Sequence, residues 1–297
     1  MSHLTESQVQ KVTAPAIRAK KGRAQIVALT AYDYPSARLV DEAGFDLILV
    51  GDSLANTVLG YESTVPVTLD EMISATRAVK RAVKRALVVG DMPFGSYQDR
   101  TERAVKSAIR FVKEGGAEAV KIEGGTNRAE IVKAIVSAEV PVMGHIGLRP
   151  QSLLRMGGYR VQGKSIDAAR ELIEDALALE RAGAFAVVLE GIPAEISRII
   201  TDRISIPTIG IGAGAHCDGQ ILVFTDLLGL TFGHKAKFVR QYTDLKKIIA
   251  GALARFAGDV SARRFPAENE SYHLPEGVVV SPDEEERSSM PPLGPIN

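Results

Sequence analysis

The sequence predicts an α/β protein folded as a (β/α)8 TIM barrel, on three observations. Eight short apolar runs recur along the middle of the chain, amphipathic segments separate most of them, and one helix-to-strand phrase occurs three times. Alternating strand and helix patterns argue for a parallel sheet with helices packed on it. The 297 residues also suffice, since a barrel of this kind takes roughly 250 residues.

The runs, in order, are QIVALT (25–30), DLILV (46–50), ALVVG (86–90), EAVKI (118–122), PVMGH (141–145), FAVVLE (185–190), PTIGIG (207–212) and ILVF (221–224). Each is nearly continuous rather than alternating, as expected for parallel strands covered on both faces. TLDEMISATRAVKRAV (68–83) and IDAARELIEDALALERAG (166–183) repeat apolar residues at helical spacing. The connection between the last two strands is too short for a full helix. The repeated phrase reads DEAGFDLILVGD, KEGGAEAVKIEG and ERAGAFAVVLEG. In each copy a Gly closes a helix, where positive φ is needed, and a strand then ends in a carboxylate.

Residues 1–24 are polar and basic and read as an N-terminal arm. Residues 25–272 read as one barrel domain with C-terminal helices. Residues 273–297 hold five prolines and an acidic run, a composition that cannot bury enough apolar surface to offset its ordering entropy, so a flexible tail is expected.

The 36 basic and 36 acidic residues cancel, which removes any general attraction to nucleic acid or an anionic membrane. Cys217 is the only cysteine, and one thiol makes no internal disulfide, so a reducing compartment is expected. The opening MSHLTESQVQKV lacks the apolar core of a signal peptide. The longest apolar stretch (221–232) is too short to span a bilayer. The expectation is a cytoplasmic enzyme acting on small molecules.

Barrel active sites sit at the C-terminal strand ends. There the sequence places Asp52 and Ser53, Asp91, Lys121 and Glu123, His145, and Glu190. Four acids in one cleft repel and raise one another's pKa unless a cation sits among them. Hard oxygen ligands suit Mg2+, and Lys121 suits a substrate carboxylate. His145 is open to three roles: metal ligand, proton carrier, or hydrogen-bonded wall of the site. No HExxH or CxxC occurs, which argues against zinc.

Two phosphate-binding patterns fail on context. Residues 158–165 match GxxxxGK[ST], but no strand precedes them; residues 210–215 fit GxGxxA, but another strand follows where a helix is required. The long unpatterned segment 147–165 is of a length that usually carries function.

The stretches LTAYDYPSARLVDEAG, LVGDSLANTVLGYESTVPVTLDEM, DMPFGSY, VKIEGG, VMGHIGLRPQS, GGYRVQGKS, VVLEGIP, IPTIGIGAGAHCDGQILVFTDLLG and KFVRQY together resemble the ketopantoate hydroxymethyltransferase family, in order, over about residues 22–272. The resemblance implies a barrel of the phosphoenolpyruvate/pyruvate type, Mg2+, 5,10-methylenetetrahydrofolate as one-carbon donor, and a homo-oligomer, usually a decamer. It implies transfer of a hydroxymethyl group to 3-methyl-2-oxobutanoate, giving 2-dehydropantoate for pantothenate synthesis, through an enolate stabilised by the metal. Residue by residue, it implies metal binding at Asp52, Asp91 and Glu123. It implies substrate contacts at Asp52, Ser53, Asp91 and Lys121, and a proton acceptor at Glu190. The chain departs from the family pattern at Ala55, where Gly is usual, and at Lys164, where Arg is frequent. Two other readings compete: a Mg2+-dependent C–C lyase or mutase of the same barrel type, and a P-loop nucleotide-binding protein resting on residues 158–165.

Overall fold

The computed structural model of the chain describes residues 10–158, 161–233 and 235–280, the side chain of Met156 excepted. The first nine residues of the expected arm, residues 281–297 of the expected tail, and Tyr159 and Arg160 of the GGYRVQGKS stretch lie outside the described residues. The chain forms two compact units, residues 1–244 and 245–297.

In the first unit eight parallel strands close into a barrel in sequential order. They are β1 (Ile26–Thr30), β2 (Leu47–Val50), β3 (Leu87–Asp91), β4 (Ala119–Glu123), β5 (Val142–Gly147), β6 (Ala186–Glu190), β7 (Thr208–Ile211) and β8 (Gly219–Leu222). All eight lie within two residues of the expected runs, and only β8 is displaced by two at both ends. The eighth covers 219–222 rather than 221–224, because the β1 ladder begins at the pairing of Ile26 with Gly219. It stops at Leu222, where Phe224 N turns away to donate to Thr30 Oγ1 at 3.0 Å.

Two apolar layers hold the barrel. Inward side chains, among them Ala28, Leu49, Val89, Ala119, Met143 and Val188, fill the interior. A larger layer joins the outer strand faces to the helices. The barrel floor is closed by α1 (Ala14–Ala19), whose Ile17 is fully buried in the interior cluster.

Helix starts follow from the sequence. α2 (Tyr34–Glu42) begins at Asp33, whose carboxylate accepts from Ser36 N, and α3 (Leu54–Thr57) is a single turn after Ser53. α4 (Leu69–Ala82) opens with a capping box between Thr68 and Glu71. α5 (Thr101–Arg110) and α6 (Ala129–Ser137) follow β3 and β4, and α7 (Leu153–Met156) is a short turn after β5. α8 (Ile166–Arg181) starts at Ser165, whose hydroxyl accepts from Ala168 N. α9 (Ala194–Arg203) follows β6 and α10 (Phe224–Leu227) follows β8. The three repeated phrases close their helices with Gly44, Gly116 and Gly183 at φ +83, +73 and +96, the left-handed geometry their spacing implied.

The second unit holds α11 (Leu245–Ser261), none of whose side chains is buried. Among the described residues no helix is long and apolar enough to cross a membrane.

Candidate active site at the barrel mouth

Strand periodicity builds the site. On β3 to β6 the lower inward positions are apolar and the upper ones polar. Leu87 and Val89 lead to Asp91, Ala119 to Lys121 and Glu123, Met143 to His145, and Ala186 and Val188 to Glu190. The ladder register sets Asp91 beside Lys121 and Glu123 beside His145. Asp52 and Ser53 enter from the turn after β2. Every residue expected at the mouth is therefore there, and six of them (Asp52, Ser53, Asp91, Lys121, His145 and Glu190) line one cavity of about 100 Å³.

The cavity has two unlike halves. Its polar half holds those six side chains. Its other half is apolar, with Leu49, Val188, Ile211, Ile221, Leu222 and Val223.

Lys121 Nζ lies 2.8 Å from Asp91 Oδ1, 4.0 Å from Glu123 Oε1 and 3.2 Å from His145 Nδ1. The Asp91 contact is an ion pair by distance only, since Oδ1 meets no donor at hydrogen-bonding angles. Asp91 Oδ2 accepts from Asp52 N at 3.0 Å. His145 stands between two carboxylates, with Nδ1 3.5 Å from Glu123 Oε1 and Nε2 3.1 Å from Glu190 Oε2. The latter approach is likewise close but misaligned for a hydrogen bond. Ser53 Oγ shares a hydrogen bond of 2.8 Å with Tyr32 OH, which also accepts from Thr30 Oγ1 at 2.9 Å.

Asp91 is held in an apolar surround, and its charge state shows it. Burial pushes Asp91 up to about 8; the nearby Asp52 adds to this, and Lys121 opposes it. Burial pulls Lys121 down, but Asp91, Glu123 and Asp52 outweigh it, so the ammonium is held above its usual range. His145 is lowered by burial and by Lys121, yet Glu123 and Glu190 raise it further, to about 9. The imidazole is thus cationic at neutral pH, and its Nδ1 proton faces Glu123 rather than accepting from Lys121.

Two buried carboxylate oxygens accept no hydrogen bond: Asp91 Oδ1 meets only the Lys121 ammonium, at 2.8 Å, and Glu123 Oε1 has that ammonium no nearer than 4.0 Å, so a further cation beside them would offset a real cost. Among the described residues no group of three or more His, Cys, Asp or Glu side chains is placed to hold a metal ion, which leaves a set of one or two carboxylates. That set fits Mg2+, which takes one or two carboxylates and fills its octahedron with waters or substrate oxygens; it does not fit a structural zinc.

Two polar residues in the site carry no charge and escaped the sequence reading. Gln151 Nε2 donates to Asp52 Oδ2 at 3.0 Å, and Tyr97 OH donates to Gln151 Oε1 at 2.8 Å. Both lie in stretches that sequence had marked, DMPFGSY with the residue after it and GLRPQS, but no spacing singles them out. The phosphate-binding patterns fare as expected. β5 ends at Gly147, and a 3₁₀ turn and α7 lie between it and Lys164, so no strand leads into residues 158–165. β8, not a helix, follows residues 210–215.

The chain matches the family model described as ketopantoate hydroxymethyltransferase over residues 11–268. It is 57% identical over 276 residues to the 3-methyl-2-oxobutanoate hydroxymethyltransferase of Koribacter versatilis, covering 93% of this chain and 94% of that one. It is 53% identical over 269 residues to the enzyme of the same name from Thermoanaerobacter sp., covering 91% and 97%. Among solved structures, phosphonopyruvate hydrolase superposes with a TM-score of 0.57 at 13% identity, over 87% of this chain and 93% of that one. 2,3-Dimethylmalate lyase, a member of the PEP mutase/isocitrate lyase superfamily, superposes with a TM-score of 0.55 at 17% identity, over 87% and 91%. At such identities the likeness is one of fold, that of a closed parallel barrel.

Proposed function

The chain belongs to the ketopantoate hydroxymethyltransferase family and is a transferase, and we propose that it moves a hydroxymethyl group from 5,10-methylenetetrahydrofolate to 3-methyl-2-oxobutanoate. The products are 2-dehydropantoate and tetrahydrofolate, in pantothenate and hence coenzyme A synthesis. The observation that carries this reading is the two-sided cavity. A cationic and acidic half faces the carboxylate and ketone of such an acid, and an apolar half faces its branched alkyl end.

Asp52 and Asp91 would hold Mg2+, with Glu123 beside them. When bound, the ion supplies Lewis acidity to the 2-oxo and carboxylate oxygens, which eases loss of the C3 proton. Lys121 pairs with a substrate oxygen and is already held against Asp91. Ser53, oriented by Tyr32, donates to a second one. Glu190 accepts the C3 proton, with the His145 imidazolium 3.1 Å away to steady the carboxylate. The electron pair left on C3 attacks the methylene carbon of the folate, tetrahydrofolate leaves, and water supplies the hydroxyl oxygen.

The second unit supports a homo-oligomer. Ile249, Leu253, Phe256 and Val260 form one exposed stripe along α11, at the spacing of a packed helix face. A second copy of the chain is its fitting partner. A cytoplasmic setting suits an enzyme whose single Cys217 is free and buried.

The test is an assay for 2-dehydropantoate from the two substrates, with and without EDTA. Formation that needs both folate and a divalent ion supports the reading. Turnover of a 2-oxo acid by carbon–carbon cleavage without folate would replace it with the lyase or mutase alternative.

A further inference from the structure

Gln151 lies on the turn directly after β5, with 4% of its surface exposed. Its amide is saturated. Nε2 donates to Asp52 Oδ2 and to Met92 O, both at 3.0 Å. Oε1 accepts from Tyr97 OH at 2.8 Å and from Gln98 Nε2 at 3.0 Å. Its backbone N donates to Glu123 Oε2 at 3.1 Å. One residue thus touches two of the three acids assigned to the metal, from an element that carries none of them. Tyr97 braces the arrangement from behind, because its hydroxyl also accepts from Glu123 N at 3.0 Å.

Two donors and two acceptors at these positions fit an amide and no other side chain of this length. The partners also fix its orientation, since Asp52 and a carbonyl demand the NH2 end and Tyr97 supplies a donor to the oxygen. Gln151 engages one oxygen of Asp52, and through its backbone the Oε2 of Glu123. Glu123 Oε1 is left without a donor and available to a cation.

We propose that Gln151, braced by Tyr97, is a positioning residue that presents Asp52 and Glu123 to the metal, so that metal affinity depends on the seating of the turn after β5. The inference rests on the assignment of Asp52, Asp91 and Glu123 as the Mg2+ site. Linkage makes the dependence reciprocal: if the seated turn tightens metal binding, metal binding favours the seated turn.

The experiment is calorimetric titration of the metal-free full-length protein with Mg2+, repeated with Mn2+ followed by its paramagnetic resonance signal. The proteins are wild type, Gln151→Ala, Tyr97→Phe and Asp52→Asn. Loss of a hydrogen-bond partner of a ligand costs about 10–100-fold in metal affinity, and Gln151→Ala should fall in that range. Its kcat should recover at saturating metal, which a merely unfolded or distorted protein would not show. Tyr97→Phe keeps the ring and should weaken binding in the same direction, by less; it carries the test if Gln151→Ala does not fold. Tryptic cleavage after the exposed Arg155 should be slowed by Mg2+ in wild type and not in Gln151→Ala. If wild type binds no Mg2+, or Asp52→Asn binds it as well as wild type, the metal assignment fails and the inference with it. If Asp52→Asn loses binding while Gln151→Ala and Tyr97→Phe match wild type, the metal assignment stands and the inference is overturned.

Discussion

Asp91 is the residue on which the charge balance of the site turns. It is buried, it faces Asp52, and its carboxyl is pushed up to about 8. Without a cation the neutral form is therefore favoured at neutral pH, whereas metal binding requires the ionised form. We predict that Mg2+ binding at pH 7 releases close to one proton per ion, that affinity rises with pH up to about 8, and that release vanishes above about pH 9.5. Calorimetry in two buffers of different ionisation heat measures this, and release that does not change with pH would remove Asp91 from the site. Asp91 was legible in the sequence because a carboxylate directly after a run such as LVVG is hard to explain as a surface charge. So were Asp52, Lys121, Glu123, His145 and Glu190, each ending or following an apolar strand. Gln151 and Tyr97 were not legible, since an uncharged polar side chain in a loop has no periodicity to mark it, and its role comes only from partners distant in sequence. His145 was read with three roles open. Its place between Glu123 and Glu190 makes it a cationic wall that pairs with both carboxylates.

Strands and turns set the distances between these groups. Gly147 ends β5 at φ +93, and a Cβ added there would lie 2.2 Å from Glu190 O, so the close packing of β5 on the end of β6 needs a residue without one. Gly147→Ala should destabilise the protein by about 1–3 kcal/mol and lower kcat by shifting Glu190. A lower urea midpoint checks the first part and steady-state kinetics the second; wild-type values in both would show that the strand ends tolerate movement. The helix starts were readable from local chemistry, as in T-x-x-E at Thr68 and Glu71, where both halves of the capping box form. Thr68→Ala should cost about 1 kcal/mol, read from thermal or urea unfolding, with no change in metal binding. The limits of β8 were not readable locally. ILVF is apolar throughout, and only the pairing with β1 and the bond from Phe224 N to Thr30 decide where the strand lies.

At the scale of the whole molecule, one closed barrel supports both the apolar interior and the polar mouth. On β3 to β6 the inward positions change from apolar to polar within a single register step. This design was visible as eight apolar runs and a thrice-repeated phrase, so the fold class followed from pattern alone. The proposed association between copies was not legible from pattern, because the stripe on α11 looks like any amphipathic helix until its lack of buried side chains is known. Leu253→Glu with Phe256→Glu should reduce the assembly to smaller species by sedimentation velocity; an unchanged size would place the interface elsewhere. The central claim is that this mouth removes the C3 proton of 3-methyl-2-oxobutanoate with Glu190 as base. Proton NMR in D2O, following the C3 signal with Mg2+ present and folate absent, tests it most directly. The wild type should exchange that proton for deuterium, and Glu190→Gln should bind the substrate yet exchange it about 10²–10⁴-fold more slowly. Exchange at the wild-type rate in Glu190→Gln would contradict the claim and move the base to another residue.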